Sequence, residues 1–405
     1  MKTKRLSGDQ VLLEAKEILP TSDESQMPTV GYFDHRAPLE MIVAHQAIPS
    51  LVRSTGGTST GFEASLQTFA CSFSRNLLSQ RTKGNLSNLE GLLFPSNMCD
   101  SMQNLHDIWE VEFPRDNVLR VGYPVVEAGE KSVEYLAGEL GKLSASVQGI
   151  VYHSLNMMRL RKALNVFDWF RSMCQEIYAA RVLQPDLLRY TEFAQLLYSF
   201  LEAPSIVGLE EIESVHRRVK SMVKRPNTAS EIRQALLHTP MNQMGFPVKS
   251  PPARIVVAGG MTDLVRIGEL FDAVANQSDA AIVLDLLSLG YRMVFRPAVN
   301  LGEHMFKDLA RGILGAPSAP TQKGLASRVA FLKNLLRNFS IDGLIISEMS
   351  FCDPDEFETP SLMKAAKETG VPTLRLPVDA EFSDRARLEG RVQSFLETLS
   401  PEVEV

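Results

Sequence analysis

Short apolar runs alternate with longer stretches of helical spacing in the first and last thirds of the chain. The runs are rich in aliphatic and β-branched residues, as in "EGLLFP" at 90–95 and "ARIVVAGG" at 253–260. Continuous runs of this kind are typical of strands buried on both faces of a parallel sheet. The predicted strands cover residues 29–33, 90–95, 118–124, 253–260, 280–287, 342–349 and 372–378. Their alternation with helices predicts an α/β fold with two largely parallel sheets.

The middle of the chain has a different pattern. Residues 126–243 show long helical spacing, as in "LRKALNVFDWFRSMCQEIYAAR", and no convincing strand. The segment "MGFPVKSPPAR" at 244–254 contains three prolines, which oppose regular structure and indicate a linker. We therefore predict two flavodoxin-like parallel-sheet domains, at 1–125 and 244–405, joined by a helical bridging segment at 126–243.

Composition and charge narrow the function. The 405 residues are enough for two domains, and the formal net charge is −6. Because the chain is mildly acidic and has no stripe of basic and aromatic residues, we expect no nucleic-acid partner. Neither a run of eighteen apolar residues nor a signal peptide is visible, so we expect no membrane partner and a cytoplasmic location. Four cysteines do not make a disulfide framework in a chain this long.

One short sequence motif occurs twice in the chain. "EGLLFPSNMCD" places Cys99 shortly after one predicted strand, and "DGLIISEMSFCD" places Cys352 shortly after another. Ligands of parallel sheets bind beyond the carboxyl ends of the strands. A predicted helix follows each cysteine, and amide groups at a helix N-terminus favour a thiolate. Both residues are therefore candidate ligands, although a free cysteine is also often a small buried apolar residue.

The two remaining cysteines lie in predicted helices. Cys71 precedes Cys99 by 28 residues, whereas Cys174 lies among Met173, Phe170 and other apolar residues and is predicted to be core. Three converging thiolates would suit a soft metal, either zinc or an iron–sulfur cluster. Since compact spacings such as C-x₂-C are absent, the spacing leaves both alternatives open.

Two longer stretches carry a family resemblance. "GLLFPSNMCDSMQNLHDIWEVEFP" and "FCDPDEFETPSLMKAAKETGVPTLRL" resemble the 2-hydroxyacyl-CoA dehydratase and benzoyl-CoA reductase family. They are most similar to the smaller, cluster-bearing subunit, of C or gamma type, of ATP-dependent benzoyl-CoA reductase. The resemblance implies that Cys71 in "ACSFSR", Cys99 and Cys352 bind one [4Fe–4S] cluster. Three cysteines would leave one iron without a protein thiolate.

The resemblance also implies an activity and partners. The expected function is that of an iron–sulfur subunit in a low-potential, ATP-driven acyl-CoA reductase that dearomatises an aromatic acyl-CoA. The expected partners are a related second cluster-bearing subunit, an ATP-hydrolysing iron–sulfur activator and the acyl-CoA substrate. This chain has no G-x-x-x-x-G-K-[ST] phosphate loop, in agreement with a separate ATPase. One alternative is a subunit of a 2-hydroxyacyl-CoA dehydratase that acts through a ketyl radical, and another is a non-catalytic scaffold.

Three further side chains are candidates. His35 and Arg36 follow the first predicted strand in "YFDHRAPLE", where a substrate would lie. A histidine there could move a proton and an arginine could bind a carboxylate or phosphate, so both are predicted as catalytic. The alternative is a capping or surface role before Pro38. At this turn the sequence departs from the family pattern, which is apolar or aromatic. His106, close after Cys99, is a candidate for hydrogen bonding near a cluster sulfur.

Overall fold

Two four-stranded parallel sheets form the framework of the protein. The computed structural model describes residues 6–22, 27–126, 129–237, 252–275 and 279–399. The first sheet contains β1 (Thr29–Tyr32), β2 (Ile48–Leu51), β3 (Gly91–Ser96) and β4 (Val118–Gly122). The second contains β5 (Ala253–Gly259), β6 (Ala280–Leu286), β7 (Gly343–Met349) and β8 (Thr373–Val378).

Both sheets have the same strand order. The orders are β2-β1-β3-β4 and β6-β5-β7-β8, and all of the paired strands are parallel. This is the start of the flavodoxin-like order, in which the order of the parallel strands reverses between the first and third strands. The predicted fold class, two flavodoxin-like parallel-sheet domains with helices, is confirmed. The predicted domain boundaries remain a prediction, and residues 244–251 of the predicted linker lie outside the described residues.

One strand was missing from the sequence prediction. Strand β2, "IPSL", pairs with β1 at the edge of the first sheet. It is only four residues long and contains Pro49, which lacks an amide N–H and is tolerated mainly at sheet edges. A run of four residues with a proline in it does not predict a strand from the local sequence alone.

Helices cover both sheets and fill the middle of the chain. The helices that accompany the first sheet are α1 (Gly8–Ile18), α2 (Leu39–Ala44), α3 (Ser72–Thr82) and α4 (Asp100–Glu112). The middle of the chain forms α5 (Glu130–Val151), α6 (Met157–Leu183), α7 (Tyr190–Glu202), α8 (Ile206–Met222) and α9 (Pro226–Leu237). The second sheet is accompanied by α10 (Leu264–Ala275), α11 (Met305–Leu314), α12 (Leu325–Asn338), α13 (Asp353–Thr369) and α14 (Arg385–Leu399). Within the described ranges, none of these helices is long and apolar enough to cross a membrane.

A buried carboxylate joins the three parts of the chain. Glu40 on α2 is fully buried, and its carboxylate accepts a hydrogen bond from Arg171 on α6. Arg296, which follows β6, places Nη2 3.6 Å from the second Glu40 oxygen. Burial alone would raise the pKa of Glu40, but the two guanidinium groups outweigh burial and lower the pKa to about 2. Helix α6 contacts both α2 and β6, so this ion cluster lies where the sheets and the helical segment meet.

Replacing the buried carboxylate is expected to destabilise the protein strongly. Glu40→Gln leaves the buried Arg296 without the Glu40 carboxylate and Arg171 with Asp168 alone, and removing one partner of a buried ion pair costs about 3–5 kcal/mol in comparable cases. The measurement is the free energy of unfolding in urea. Glu192→Gln is the matched control, because Glu192 pairs with Arg189 on the surface and such pairs contribute about 0–1 kcal/mol. Equal losses for the two variants would contradict the role given to Glu40.

Candidate functional site

Three cysteines occupy the N-cap positions of three helices. Cys71 precedes α3, Cys99 precedes α4, and Cys352 precedes α13. Cys99 and Cys352 each follow the end of an equivalent central strand, β3 or β7, by three residues. Amide groups in the first turn of each helix interact with the thiol at its N-cap and favour the thiolate. The two similar sequence segments around Cys99 and Cys352 thus occupy equivalent positions, shortly after the third strand of each sheet.

The turns before two of these cysteines have unusual backbone geometry. Asn97, two residues before Cys99, has φ +60°, and Phe351, directly before Cys352, has φ +61°. Asparagine tolerates the left-handed region, but a bulky side chain such as phenylalanine rarely adopts it. Strain of this kind persists only where the surrounding structure holds it, and it is concentrated at functional sites.

The three N-cap cysteines share one apolar cluster, here called the cysteine cleft. Its buried members include Cys71, and Cys99 and Cys352 pack against it. The buried aromatic and methionine side chains of this cluster are Phe33, Phe62, Phe73, Phe94, Met102, Trp109 and Met349. Cys174, by contrast, is buried in the other apolar cluster, within α6, and burial raises the pKa of its thiol. The structure thus brings together the three predicted ligands and leaves Cys174 in the core.

The thiols in the cleft influence one another. Hydrogen bonding from the Cys352 thiol lowers the pKa of Cys71, and the same interaction, together with burial, raises the pKa of Cys352. Burial is the main cause that raises the pKa of Cys99 to about 12, with a smaller contribution from Cys71. The cleft therefore favours one thiolate, and ionisation of all three thiols requires a positively charged group between them.

The donor set could hold either an iron–sulfur cluster or a zinc ion. Three cysteine thiolates are soft ligands that suit either group. Thiolates around one tetrahedral zinc lie about 3.8 Å apart, given a Zn–S distance of about 2.3 Å. The three sulfurs of the cleft, all within the described residues, do not lie within 4.8 Å of one another. Cys71 and Cys352 are in hydrogen-bond contact, so it is Cys99 that lies further away, and one ion at this spacing would not reach all three thiols without a shift.

Ser72 fixes the position of Cys71 relative to the second sheet. Its amide N–H donates to the carbonyl of Ser350 at 3.1 Å, and its hydroxyl donates to the sulfur of Met349 at 2.9 Å. The same hydroxyl accepts a hydrogen bond from the amide of Ala380 at 3.1 Å. Helix α3 therefore starts against the ends of β7 and β8. The sequence analysis did not identify Ser72, because its partners lie almost 300 residues away along the chain.

Two further contacts hold the sheets together beside the cleft. The guanidinium of Arg53, after β2, donates to both carboxylate oxygens of Asp263 at 2.7 and 3.1 Å. The side-chain amide of Asn76 on α3 donates to Glu381, after β8, at 2.8 Å. These contacts are polar links between the two halves of the chain, and the geometry of the three thiols depends on the docking of both halves.

The structure changes the interpretation of Arg36. Its guanidinium donates to both carboxylate oxygens of Asp34 at 3.0 and 3.3 Å and lies 4.1 Å from the ring centroid of Tyr123. Arg36 is buried in these contacts. The predicted binding of a substrate carboxylate or phosphate by Arg36 would require this ion pair to open, and its catalytic role remains a prediction.

His35 is buried without a hydrogen-bond partner. Neither ring nitrogen has one among the described residues, and Nδ1 lies 3.8 Å from an oxygen of Asp34. Burial, which the nearby Asp34 carboxylate only partly offsets, lowers the pKa of His35 from 6.5 to about 3. The imidazole is therefore neutral at physiological pH, and the predicted catalytic role of His35 is untested.

His106 interacts with acidic side chains of its own helix. Its Nδ1 lies 3.0 Å from an oxygen of Asp107, and its ring packs edge-on against Phe94 at a centroid distance of 5.6 Å. Nε2 lies 3.6 Å from Glu110. Nε2 is buried and has no hydrogen-bond partner among the described residues, so the predicted hydrogen bond near a cluster sulfur stays a prediction.

Comparison with known proteins identifies the family. A family profile described as "2-hydroxyglutaryl-CoA dehydratase, D-component" matches residues 35–399, which include all three cysteines of the cleft. The chain belongs to this family. The resemblance found in the sequence is thereby confirmed at the level of the 2-hydroxyacyl-CoA dehydratase and benzoyl-CoA reductase family.

Relatives in this family are enzyme subunits. The chain is 24% identical over 382 residues to lactoyl-CoA dehydratase subunit beta of Anaerotignum propionicum, covering 93% of both chains. It is 22% identical to the C-type subunit of benzoyl-CoA reductase from Thauera aromatica, covering 85% of this chain and 83% of the relative. It is also 21% identical to (R)-2-hydroxyglutaryl-CoA dehydratase subunit beta of Acidaminococcus fermentans, covering 91% and 92%. Enzymes of both kinds are thus represented among the relatives.

The buried imidazole predicts a pH dependence of stability. In the unfolded chain His35 gains a proton below about pH 6.5, whereas in the folded protein its pKa of about 3 keeps it neutral. Stability is therefore lost as the pH falls from 6.5 towards 3, and the loss between about pH 7.5 and about pH 5.5 is about 1.4 kcal/mol.

The measurement compares urea unfolding at those two pH values. His35→Asn is expected to lose about 1.4 kcal/mol less than the parent over this interval, because it has no proton to gain at this position. His153→Asn is the control, since the side chain of His153 is exposed in the folded protein, and this variant should follow the parent. An identical pH response in parent and His35→Asn would rule out the shift.

Proposed function

We propose that this protein is the iron–sulfur subunit of an enzyme that acts on acyl-CoA thioesters. Cys71, Cys99 and Cys352 would hold one [4Fe–4S] cluster in the cysteine cleft. The observation that supports this most directly is the convergence of three helix N-cap thiols between two parallel sheets. Helix N-termini and the carboxyl ends of parallel strands are both preferred sites for anionic ligands and cofactors.

The residues of the chain supply the environment that such a site requires. Amides in the first turns of α3, α4 and α13 stabilise thiolates without adding a side-chain cation. Phe94 and Trp109 pack edge to face at 5.4 Å and exclude water from one side of the cleft. A bound cluster would supply one-electron transfer at low potential. An apolar, weakly hydrated surrounding is one of the means by which a protein tunes such a potential.

The favoured reaction is dehydration of a 2-hydroxyacyl-CoA. The family profile and the lactoyl-CoA dehydratase relative, which is covered almost from end to end, support this choice. Reductive dearomatisation of an aromatic acyl-CoA is the second candidate, supported by the likeness to the C-type subunit of benzoyl-CoA reductase. The sequence motifs alone put the reductase first, and the wider similarity to dehydratase beta subunits reverses that order.

The proposed partners follow from the same reasoning. They are a related second cluster-bearing subunit, an ATP-hydrolysing iron–sulfur activator and the acyl-CoA. Three phenylalanines close in sequence to the cleft cysteines are exposed: Phe69 at 64%, Phe351 at 48% and Phe357 at 80%. Exposed aromatic side chains of this kind are typical of surfaces that another protein covers. A cytoplasmic location, without nucleic-acid or membrane partners, remains a prediction.

Serine substitutions test the ligand assignment. Cys99→Ser and Cys352→Ser should remove the broad visible absorbance of the cluster, because a serine hydroxyl is far less acidic than a thiol and binds iron in such a cluster poorly. The measurement is iron and sulfide content with visible spectra after purification without oxygen. The parent should contain about four irons and four sulfides per chain.

Cys174→Ser is the matched control. Since Cys174 lies in the core of α6, this change should leave the absorbance intact and cost on the order of 1 kcal/mol of stability. One zinc per chain, or no metal at all, in the anaerobically purified parent would favour the scaffold alternative. Loss of absorbance in Cys174→Ser alone would refute the assignment.

A further inference from the structure

A histidine and two carboxylates meet on helix α4. A ring nitrogen of His106 and carboxylate oxygens of Asp107 and Glu110 all lie within 4.8 Å of one another, and these three residues are here called the α4 site. Among the described residues, no other group of histidine, cysteine and acidic side chains brings three ligand atoms this close. Residues four apart lie on the same face of a helix, which is the spacing of the two histidines in helical zinc motifs. The three side chains are therefore close enough to share one cation.

His106 is the buried member of the α4 site. The residue is 3% exposed, and its ring packs against Phe94, which belongs to the apolar cluster of the cysteine cleft. Nδ1 lies 3.0 Å from an oxygen of Asp107. Because a carboxylate only accepts hydrogen bonds, Nδ1 donates to Asp107, and Nε2 of the neutral ring then carries a lone pair. The packing and this hydrogen bond together fix the direction in which Nε2 points.

Nε2 faces a carboxylate with no hydrogen-bond donor between them. This nitrogen is buried and has no hydrogen-bond partner among the described residues. It lies 3.6 Å from Oε1 of Glu110, which is too long for a hydrogen bond. A lone pair and a carboxylate repel each other across such a gap unless a positive charge lies between them. Two ligand atoms on one zinc ion lie about 3.4 Å apart, given Zn–N and Zn–O distances of about 2.0–2.2 Å, so the gap fits a divalent ion with only a small shift.

The position of the site on the helix also favours a cation. The last two turns of α4 contain Asp107, Glu110 and Glu112, and its last turn contains no basic residue. Carboxylates near the C-terminus of a helix interact unfavourably with the helix dipole, whereas a cation interacts favourably with it. Asp107 and Glu110 are exposed, so an ion and its bound water can reach them from solvent. A cation at the α4 site would therefore reduce the repulsion among these carboxylates.

The α4 site is separate from the cysteine cleft. Cys99 is the N-cap of α4, and His106 follows it by seven residues. At about 1.5 Å per residue, the two positions lie about 10 Å apart along the helix axis. One ion with ligand bonds of about 2.0–2.3 Å cannot bind both residues. The donors also differ, since the α4 site offers imidazole and carboxylate and the cleft offers thiols.

We propose that the α4 site binds a divalent transition-metal ion of the zinc type, with Nε2 of His106 and the carboxylate of Glu110 as ligands and water in the remaining positions. Asp107 holds the imidazole in place through Nδ1, as carboxylates commonly do for metal-binding histidines. Because only two side chains bind the ion, it exchanges with the surrounding solution and is not a structural ion of the closed, four-ligand kind. The site goes beyond the proposed function and does not depend on a cluster in the cleft.

The test is uptake of Zn²⁺ by the full chain, purified without oxygen, in equilibrium dialysis followed by metal analysis. The parent should take up one more zinc per chain than His106→Asn or Glu110→Gln, and each variant should bind this ion at least tenfold more weakly. His106→Asn removes Nε2 and keeps an N–H donor for Asp107. Glu110→Gln removes the other ligand at an exposed position, and it decides the question if His106→Asn fails to fold.

Glu112→Gln is the matched control. It removes the same charge from the same helix, but the Glu112 carboxylate accepts a hydrogen bond from Ser65 and belongs to no part of the α4 site. This variant should bind zinc like the parent. Equal weakening in Glu112→Gln and Glu110→Gln would overturn the site, because it would show attraction by the net charge of the helix alone.

X-ray absorption at the zinc edge shows which ligands the ion has. Zinc at the α4 site has only nitrogen and oxygen neighbours, at about 2.0–2.2 Å, whereas zinc in the cysteine cleft has sulfur neighbours at about 2.3 Å. Zinc with nitrogen and oxygen neighbours that is lost in Glu110→Gln would support the proposal. Uptake of such zinc that is unchanged in His106→Asn and Glu110→Gln would overturn it.

The outcomes separate this proposal from the proposed function. An iron-loaded parent that takes up no zinc with nitrogen and oxygen neighbours would overturn the α4 site and leave the cluster standing. An iron-free parent that holds one sulfur-bound zinc, and a second zinc that Glu110→Gln loses, would support the α4 site and overturn the cluster alone.

Discussion

The carboxylate of Glu40, buried between two arginines, is the constraint on which the rest of the structure depends. It joins α2 of the first sheet to Arg171 of the helical segment and to Arg296, next to the second sheet. A buried charge without partners costs several kcal/mol, so dockings that separate Glu40 from the two arginines are disfavoured. In the observed arrangement, the turns that follow β3 and β7 reach the same apolar cluster. Only in this arrangement do Cys71 and Cys99 from one half meet Cys352 from the other.

The two sheets have the same topology, but the residues at the turns after their first strands differ. In the first, the turn after β1 is occupied by the Asp34–Arg36 ion pair, which packs against Tyr123. In the second, the turn after β5 has the small residues Gly259 and Gly260, and a cavity remains between the sheet and its helices. A Cβ atom on Gly260 would come within 2.5 Å of a carboxylate oxygen of Asp355, so the close approach of this turn to α13 requires glycine.

The sequence predicted what is local and missed what is contributed from a distance. Long apolar strands such as β7 and the repeated phrase around Cys99 and Cys352 were predicted because their signals lie within a dozen residues. Strand β2 and Ser72 were missed, because β2 is defined by its pairing with β1, and Ser72 by its hydrogen bonds to Met349 and Ala380. The position of Arg36 at the end of a strand was predicted correctly. Its pairing with Asp34, two residues earlier, was not, because a short-range pair is visible in a sequence only as two charges.

The cleft can form only after both halves have folded and docked. Its three thiols come from α3, α4 and α13, and links such as Ser72 to Met349 hold the first of these against the last. The unfolded chain has cysteines separated by 28 and 253 residues, and it cannot present them together. A group that binds all three thiols therefore binds the docked state alone, and its binding free energy adds to the stability of docking. The ion cluster at Glu40 and the cysteine cleft thus stabilise the same arrangement of the two sheets. At Glu40 the stabilising interaction is between charged side chains of the chain itself, and in the cleft it would be between the three thiols and a bound group.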